Sequence, residues 1–330
     1  MFFTASNENI RYTGRFGRTT AWTPNDNMTA VAPGSYFEFS FKGLTAVMQF
    51  DVDLSYDPHG HVYIEVDNGV RIEATIEKYI RISSKDEGPH YVKVIYKSTV
   101  EQMNRWFQPL NNKLALQGIE CDELIPLAPD DRKTIEIIGD SITEGVLTDS
   151  EKVHTADQKN RPWQDDVTAT YGWLLAEAVN LRPYFMGFGA TSLHHGGCGC
   201  VPKASEQYPM NFFECPRTFP SCDYILINHG ANDRASGNRP RADYLDNYGE
   251  FLKLLREKNP DSTIVILSPF CGAMDEVLPD FVKQWNSENN DDVKYISSHG
   301  WVPLNPLHPT REGHAIIGSH LVEEWKKLGI

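Results

Sequence analysis

The chain has 330 residues, of which 40% are hydrophobic and 23% charged, and its formal net charge is −14 at pH 7. This length accommodates about two domains, and the composition is typical of a globular protein. Because phosphate-bearing partners attract surfaces rich in lysine and arginine, the acidic balance argues against nucleic acid and against an anionic membrane as partners. A neutral substrate fits this charge without further assumptions.

The start of the chain does not show the basic and then apolar segments of a secretory signal, and no apolar run approaches the ~18 residues of a membrane span. We therefore expect a cytoplasmic protein, or a secreted one if a leader precedes this sequence. Six cysteines are too few for a disulfide scaffold in a chain of this length, which fits a reducing compartment.

Short apolar runs separated by turn residues dominate the region from Tyr12 to Val100. The pair Asn68-Gly69 is a strong hairpin signal, because these residue types adopt the positive φ angles of a tight primed turn. Strands at this spacing predict a β-sandwich of jelly-roll type over residues 1–130. A stretch rich in proline and acidic residues, Cys121–Asp131, is predicted as the linker. The predicted strands are Tyr36–Phe41, Ala46–Val52, His61–Val66, Val70–Ala74 and Tyr91–Tyr96.

From Lys133 onward the pattern changes to strand, loop and helix in alternation, which predicts a parallel five-stranded sheet covered by helices on both faces over residues 131–330. The predicted strands are Ile135–Ile138, Tyr184–Phe188, Tyr224–Ile227, Ile264–Leu267 and Val293–Ile296. The predicted helices are Tyr171–Val179, Ala242–Lys258, Val277–Ser287 and Arg311–Lys327. The long polar segment Leu147–Ala169 is predicted to be a loop that walls the site.

Four short blocks fall after predicted strands or ahead of the last helix: GDSIT around Ser141, GFGAT at Gly187–Thr191, GAND at Gly230–Asp233, and NPLHPTREGH at Asn305–His314. Loops after parallel strands meet at one edge of the sheet, so we expect these blocks to converge. In this order and spacing they resemble the four blocks of the SGNH, or GDSL-type, hydrolases. That resemblance implies an α/β/α hydrolase domain.

The resemblance also implies roles for particular residues. Ser141 is the nucleophile and His308 its general base, because a serine hydroxyl attacks well only when an imidazole takes its proton. The main-chain N–H groups of Ser141 and Gly189 and the side-chain amide of Asn232 form the oxyanion hole. Each residue also has a simpler interpretation: Ser141 as a helix N-cap, His308 as a loop residue and Asn232 as the cap of a turn.

One position departs from the family pattern. Most of the superfamily has an aspartate three residues before the catalytic histidine, where this chain has Asn305. An asparagine oxygen can accept the imidazole N–H but carries no charge to stabilise an imidazolium. We therefore expect a Ser141 and His308 dyad, oriented by Asn305 or by a main-chain carbonyl of the loop Trp301–Pro306.

The two-domain layout, the start IRYTGRF and the pair Gly300-Trp301 ahead of the histidine block resemble carbohydrate esterase family 2. This family removes O-acetyl groups from polysaccharides such as xylan and glucomannan, needs no metal or organic cofactor, and has members without the acidic third residue. The resemblance implies an acetylated oligo- or polysaccharide as substrate. A lipase or thioesterase of the same fold, or a carbohydrate-binding protein that uses the sandwich alone, are the alternatives.

Two further groups of residues remain open. Trp301, and with less reason Trp163, Trp173 and Trp285, are candidate platforms for a sugar ring, although core packing is the default for a tryptophan. The segment His194–Cys200, with Cys215 and Cys222, offers metal-binding residue types, but its spacing matches no common structural zinc pattern. We expect free thiols at Cys198, Cys200, Cys215 and Cys222, with a disulfide as the next alternative and zinc after it.

Overall fold

Alternating apolar residues build the first part of the chain into two antiparallel sheets. The computed structural model describes residues 1–19, 27–149, 161–220 and 222–330. One sheet has the order β3-β4-β11-β6-β9, with β1 also paired to β11, and comprises β1 (Phe2–Thr4), β3 (Phe16–Thr19), β4 (Asn27–Ala30), β6 (Thr45–Phe50), β9 (Tyr79–Ser83) and β11 (Leu114–Glu120). The other has the order β12-β5-β10-β7-β8, with β2 paired to β5, and comprises β2 (Ile10–Thr13), β5 (Tyr36–Lys42), β7 (His61–Val66), β8 (Ile72–Thr75), β10 (Pro89–Ser98) and β12 (Glu123–Ile125).

Strand β5 shows why the second sheet is buried on both faces. Phe37, Phe39 and Phe41 alternate along it and pack into the core between the two sheets. Tyr36 points to the opposite face, where its ring lies 6.3 Å from that of Trp173 in the C-terminal region. The two halves of the chain therefore share one hydrophobic core in addition to the core inside the sandwich.

The C-terminal region contains a parallel five-stranded sheet of order β14-β13-β17-β20-β21. Its strands are β13 (Thr134–Gly139), β14 (Arg182–Gly187), β17 (Tyr224–Asn228), β20 (Thr263–Leu267) and β21 (Lys294–Ile296). Its helices are α1 (Ser141–Glu144), α2 (Tyr171–Ala178), α3 (Ala204–Gln207), α4 (Tyr244–Lys258), α5 (Leu278–Asn289) and α6 (Arg311–Leu328). Two small hairpins accompany them: β15 (Met210–Phe212) with β16 (Cys215–Pro216), and β18 (Arg234–Ala235) with β19 (Arg239–Pro240).

The direction of the crossovers decides which face each helix covers. After β13 the chain passes through α2 to β14, which is the strand at one lateral edge of the sheet. After β17 it passes through α4 to β20 and through α5 to β21, toward the other lateral edge. Right-handed crossovers that run in opposite directions place their helices on opposite faces. Helix α2 packs against α6, whereas α4 meets α5 through the rings of Tyr248 and Phe281, 5.6 Å apart. Helices therefore cover both faces of the sheet.

The fold confirms the predicted sandwich followed by an α/β/α layer with five parallel strands. The hairpin turn lies one residue earlier than expected: Asp67 and Asn68, not Asn68 and Gly69, have positive φ, and Gly69 N donates to Val66 O at 2.9 Å. Part of the predicted linker is wrong as well, because Glu123–Ile125 forms a strand paired with β5. The boundary near residue 131 stays a prediction. Of the predicted loop 147–169, residues 150–160 lie outside the described part.

None of the helices in the described ranges is both long and apolar enough to cross a membrane. The cytoplasmic location and the exclusion of nucleic acid as a partner stay predictions.

His229 is an uncompensated polar group in the core. It follows β17, is fully buried, and neither ring nitrogen has a hydrogen-bond partner among the residues that the structure describes. Burial lowers the pKa of His229 to about 3, whereas an unfolded histidine has a pKa of about 6.5. His229 therefore becomes protonated below about pH 6.5 in the unfolded chain, but only below about pH 3 in the folded chain.

This difference predicts a pH-dependent stability term that is fully present above about pH 6.5 and is lost as the pH falls toward 3. The loss is about 1.4 kcal/mol per pH unit for one proton. We expect His229→Leu to remove this term. Between pH 6 and pH 5 the wild type should therefore lose about 1.2 kcal/mol more of its free energy of unfolding than the variant does. Urea denaturation at both pH values measures this, and parallel pH dependences of the two proteins would contradict it.

Candidate active site

Ser141 lies at the carboxyl end of the central strand β13, on the first residue of the short helix α1. Asp140 caps this helix, because its Oδ1 accepts the N–H of Ile142 at 3.0 Å. Gly145 ends the helix with φ of 87°, and a Cβ there would overlap the main chain of Asp166. The tight turn holds the Ser141 hydroxyl at the edge of the sheet, where the side chain is almost fully buried.

His308 comes from the loop between β21 and α6, and its Nε2 lies 2.8 Å from Ser141 Oγ. The start of α6 anchors this loop. Arg311 donates to Asp149 and to Asp166 Oδ2 at 2.9 and 2.8 Å, and Tyr63 of the sandwich donates to the same Asp166 oxygen at 2.9 Å. The pairing of serine and histidine is thus supported by contacts that cross from the sandwich to the catalytic edge.

The other ring nitrogen of His308 has no such support. In the part of the chain that the structure describes, no residue accepts a hydrogen bond from His308 Nδ1, and Asn305 is exposed to solvent without a hydrogen bond to the imidazole. The role of Asn305 as the orienting residue therefore stays a prediction. A main-chain carbonyl of residues 301–306 is not in hydrogen-bond contact with Nδ1 either.

The three predicted oxyanion donors differ in their present partners. The Ser141 N–H has no acceptor among the described residues, as is usual for the first N–H of a helix. The Gly189 N–H donates to Glu144 Oε2 at 2.5 Å, and the Asn232 amide donates to Thr191 O at 3.0 Å and to Asp140 Oδ2 at 3.3 Å. Only the Ser141 donor is free in this arrangement, so Gly189 and Asn232 remain predictions.

Four charged residues that sequence reasoning missed lie buried beside the site. Glu101 pairs with Arg161 at 2.9 Å, and Arg105 makes a bidentate pair with Glu144. A Cβ on Gly189 would overlap the Glu101 carboxylate, which places Glu101 directly against one of the predicted oxyanion donors. Glu101 and Arg105 belong to the segment that follows β10 of the sandwich. No pattern in the sequence signals that this segment reaches the hydrolase blocks, although Glu144 itself directly follows the serine block GDSIT.

The electrostatics of the site favour a neutral histidine. Burial lowers the pKa of His308, the negative charge of Glu101 opposes this shift, and the positive charge of Arg161 adds to it. A neutral imidazole is the form that can accept the proton of Ser141. Burial also raises the pKa of Asp140, the residue that caps the serine helix, to about 7.

Of the four candidate tryptophans, Trp301, Trp173 and Trp285 pack against other residues. Trp301 is half-buried and stacks on His320 of α6, with ring centroids 5.3 Å apart, so its role in sugar binding stays a prediction. Trp173 and Trp285 are buried, and Trp163 is exposed. His314 is structural, since its Nδ1 accepts the N–H of Tyr171 at 3.3 Å.

All six cysteines are free thiols. Among the described residues, no group of three or more histidine, cysteine or acidic side chains has a geometry that would hold a metal ion. A large cavity of 1150 Å³ is lined by residues such as Arg256, Thr263 and Asp291. Thr263 begins β20, so this cavity lies at the edge of the sheet opposite to Ser141 and has no access to the serine.

Comparisons with known proteins agree with this geometry. Residues 137–316 match the model of the GDSL-like Lipase/Acylhydrolase family. An acetylxylan esterase / glucomannan deacetylase from Cellvibrio japonicus (strain Ueda107) is 24% identical, over 98% of this chain and 90% of that protein.

Solved structures match the full length of the chain. A family two carbohydrate esterase from Cellvibrio japonicus has a TM-score of 0.78 at 20% identity, over 99% of this chain and 97% of that one. A family two carbohydrate esterase from Clostridium thermocellum, solved with cellohexaose, has a TM-score of 0.73 at 20% identity, over 97% and 99%. These matches confirm the expected fold and the expected resemblance to carbohydrate esterase family 2. The match to the family model, which spans the serine, glycine, asparagine and histidine blocks, shows that the chain belongs to the GDSL-like lipase/acylhydrolase family.

Proposed function

We propose that this protein is a serine O-acetylesterase that removes acetyl groups from acetylated hemicellulose, such as mannan and xylan, or from oligosaccharides derived from it. The observation that carries the proposal is the 2.8 Å contact between His308 Nε2 and Ser141 Oγ at the carboxyl edge of the parallel sheet. The relative from Cellvibrio japonicus, which bears the name acetylxylan esterase / glucomannan deacetylase, supports the choice of substrate.

In the proposed reaction, Ser141 Oγ attacks the acetyl carbonyl carbon while His308 Nε2 takes the hydroxyl proton. His308 then returns this proton to the sugar oxygen as the carbon–oxygen bond breaks, which leaves an acetyl group on Ser141. A water molecule attacks that ester by the same route, with His308 again as base, and releases acetate. No metal or organic cofactor takes part in this scheme.

The oxyanion that forms in both steps needs hydrogen-bond donors. The free Ser141 N–H supplies one of them directly. Gly189 and Asn232 can contribute only if their donors exchange Glu144, Thr191 or Asp140 for the substrate oxygen. Catalytic hydrogen bonds of this kind often tighten only when substrate is bound.

The surroundings of Gly189 favour a short acyl group. The buried Glu101 carboxylate lies against this glycine, so a long aliphatic chain extended past it would meet a charged wall paired with Arg161. Burying a charge against an apolar chain is unfavourable. An acetyl group needs no such extension, which supports an acetylesterase over a lipase or a thioesterase for long acyl groups.

The first prediction for this site concerns the nucleophile. Ser141→Ala removes the attacking oxygen, so we expect kcat/KM for 4-nitrophenyl acetate to fall by roughly 10⁴-fold or more. Ser319→Ala is the matched control, because Ser319 lies exposed on α6 and donates only to Ala315 O at 2.9 Å. A Ser141→Ala variant that keeps near wild-type turnover would refute the proposal. Acetate release from acetylated glucomannan and xylan, compared with cleavage of longer acyl esters, tests the substrate class.

A second prediction concerns Asn305. Because its side chain is exposed and makes no hydrogen bond to His308 among the described residues, we expect Asn305→Ala to leave kcat/KM for 4-nitrophenyl acetate within about threefold of the wild type. Steady-state kinetics on the two proteins measures this. A loss of a hundredfold or more would instead identify Asn305 as the residue that orients the imidazole during the reaction.

A third prediction concerns pH. Since burial lowers the pKa of His308, the acid limb of the kcat/KM profile should lie below about pH 6.5. Glu101→Gln removes the negative charge that opposes this shift and leaves Arg161 in place, so we expect the acid limb to move to still lower pH. Glu250→Gln, on the exposed surface of α4, is the control that should leave the limb where it is. A shift to higher pH in Glu101→Gln would contradict this account.

A further inference from the structure

A second cavity opens on the same edge of the sheet as Ser141. We call it the edge pocket; its volume is 280 Å³. Its lining includes Phe270, Gly272, Asp275, His299 and Leu304. The first three follow the carboxyl end of β20, and the other two follow the end of β21. Because these strands lie two and three positions from β13, the pocket is roughly 10 to 14 Å from the serine across the sheet.

The segments that enclose the edge pocket continue directly from the catalytic blocks. Asn238, which also lines it, lies in the hairpin that follows Asn232 and donates from Nδ2 to Cys271 O at 3.1 Å. Leu304 precedes His308 by four residues in the same loop. A ligand in the pocket would therefore touch the chain segments that carry two of the proposed site residues.

One wall of the edge pocket is apolar. Phe270 is buried beneath it, whereas Leu304 is 56% exposed and forms its outer side. Gly272 has φ of 70°, and a Cβ there would lie 3.5 Å from Leu304 Cδ2 and 3.6 Å from Asp275 Oδ2. Because Gly272 has no side chain, the space between the Leu304 side chain and the Asp275 carboxylate stays open.

The opposite side offers hydrogen-bonding groups. His299 Nδ1 lies 2.7 Å from Asp275 Oδ2, and the imidazole is 80% exposed. Asp275 Oδ1 is buried without a partner in the part of the chain that the structure describes. The described residues that line the pocket include no lysine or arginine, so nothing there would offset the charge of an anionic ligand.

A neutral pyranose ring has a C–H face that packs on apolar side chains and hydroxyls that need hydrogen-bond partners. The exposed Leu304 side chain and the exposed His299 imidazole offer one contact of each kind in this pocket. We propose that the edge pocket is a subsite for a neutral sugar unit of the polysaccharide chain, some distance along that chain from the unit whose acetyl group Ser141 removes. This inference rests on the proposed function, since it requires a substrate long enough to reach both places.

The test compares a long substrate with a small one. For Leu304→Ala and, separately, His299→Ala, we expect the ratio of kcat/KM for acetylated mannohexaose to kcat/KM for 4-nitrophenyl acetate to fall by roughly five- to tenfold, the scale of one lost contact. His299 is exposed, so its variant keeps the test available if Leu304→Ala folds poorly. Leu54→Ala, at an exposed leucine of the sandwich, should leave the ratio unchanged.

A binding measurement separates this inference from the proposed activity. Titration calorimetry of unsubstituted mannohexaose into Ser141→Ala, and into the same protein with Leu304→Ala, should show a Kd that is roughly five- to tenfold weaker in the double variant. If the wild type deacetylates no oligosaccharide but this difference persists, the proposed function fails and the subsite stands. Equal Kd values together with unchanged ratios, or no binding of the hexasaccharide at all, would overturn the subsite.

Discussion

The hydrogen bond between His308 Nε2 and Ser141 Oγ is the contact on which the rest of the site depends, and it joins residues 167 positions apart in the chain. A bond of this kind is usually held in place by an acid behind the imidazole. Here no described residue accepts from His308 Nδ1, so the orientation of the ring depends on its loop. The Arg311 contacts to Asp149 and Asp166 fix the end of that loop, and Tyr63 of the sandwich holds Asp166 in turn.

Residues of the sandwich thus contact and support the candidate active site. Tyr63 of β7 holds Asp166, and the segment after β10 inserts Glu101 and Arg105 beside Gly189 and Glu144. The ring of Tyr36 packs against that of Trp173 and adds an apolar contact to the same interface. A separated C-terminal region would leave Glu144 and Arg161 without their buried partners, and an unpaired buried charge is strongly destabilising. The sandwich therefore supports catalysis through structure, whether or not it also binds carbohydrate.

The sequence predicted the parts of this arrangement that local pattern determines. Strands β13 and β20 are short apolar runs, helix α6 has apolar residues at helical spacing, and Ser141 and His308 lie in motif blocks of fixed spacing. Long-range pairing leaves no such pattern. Glu101 meets Gly189 across the interface with the sandwich. Strand Glu123–Ile125 has only three residues, between Asp122 and Pro126, so it does not stand out from a linker. The positive φ angles of the hairpin fall on Asp67 and Asn68 because cross-strand register decides the turn.

The absence of an acid in contact with His308 Nδ1 among the described residues changes what must stabilise the imidazolium in the reaction that we propose. A charge at longer range can still do part of this work in a site with little water, because Coulomb interactions are weakly screened there. Glu101 is the negative charge that acts most on His308, but Arg161 neutralises much of its field. The pair therefore leaves His308 neutral at rest, the form that the proposed base requires, and stabilises its charged form only modestly.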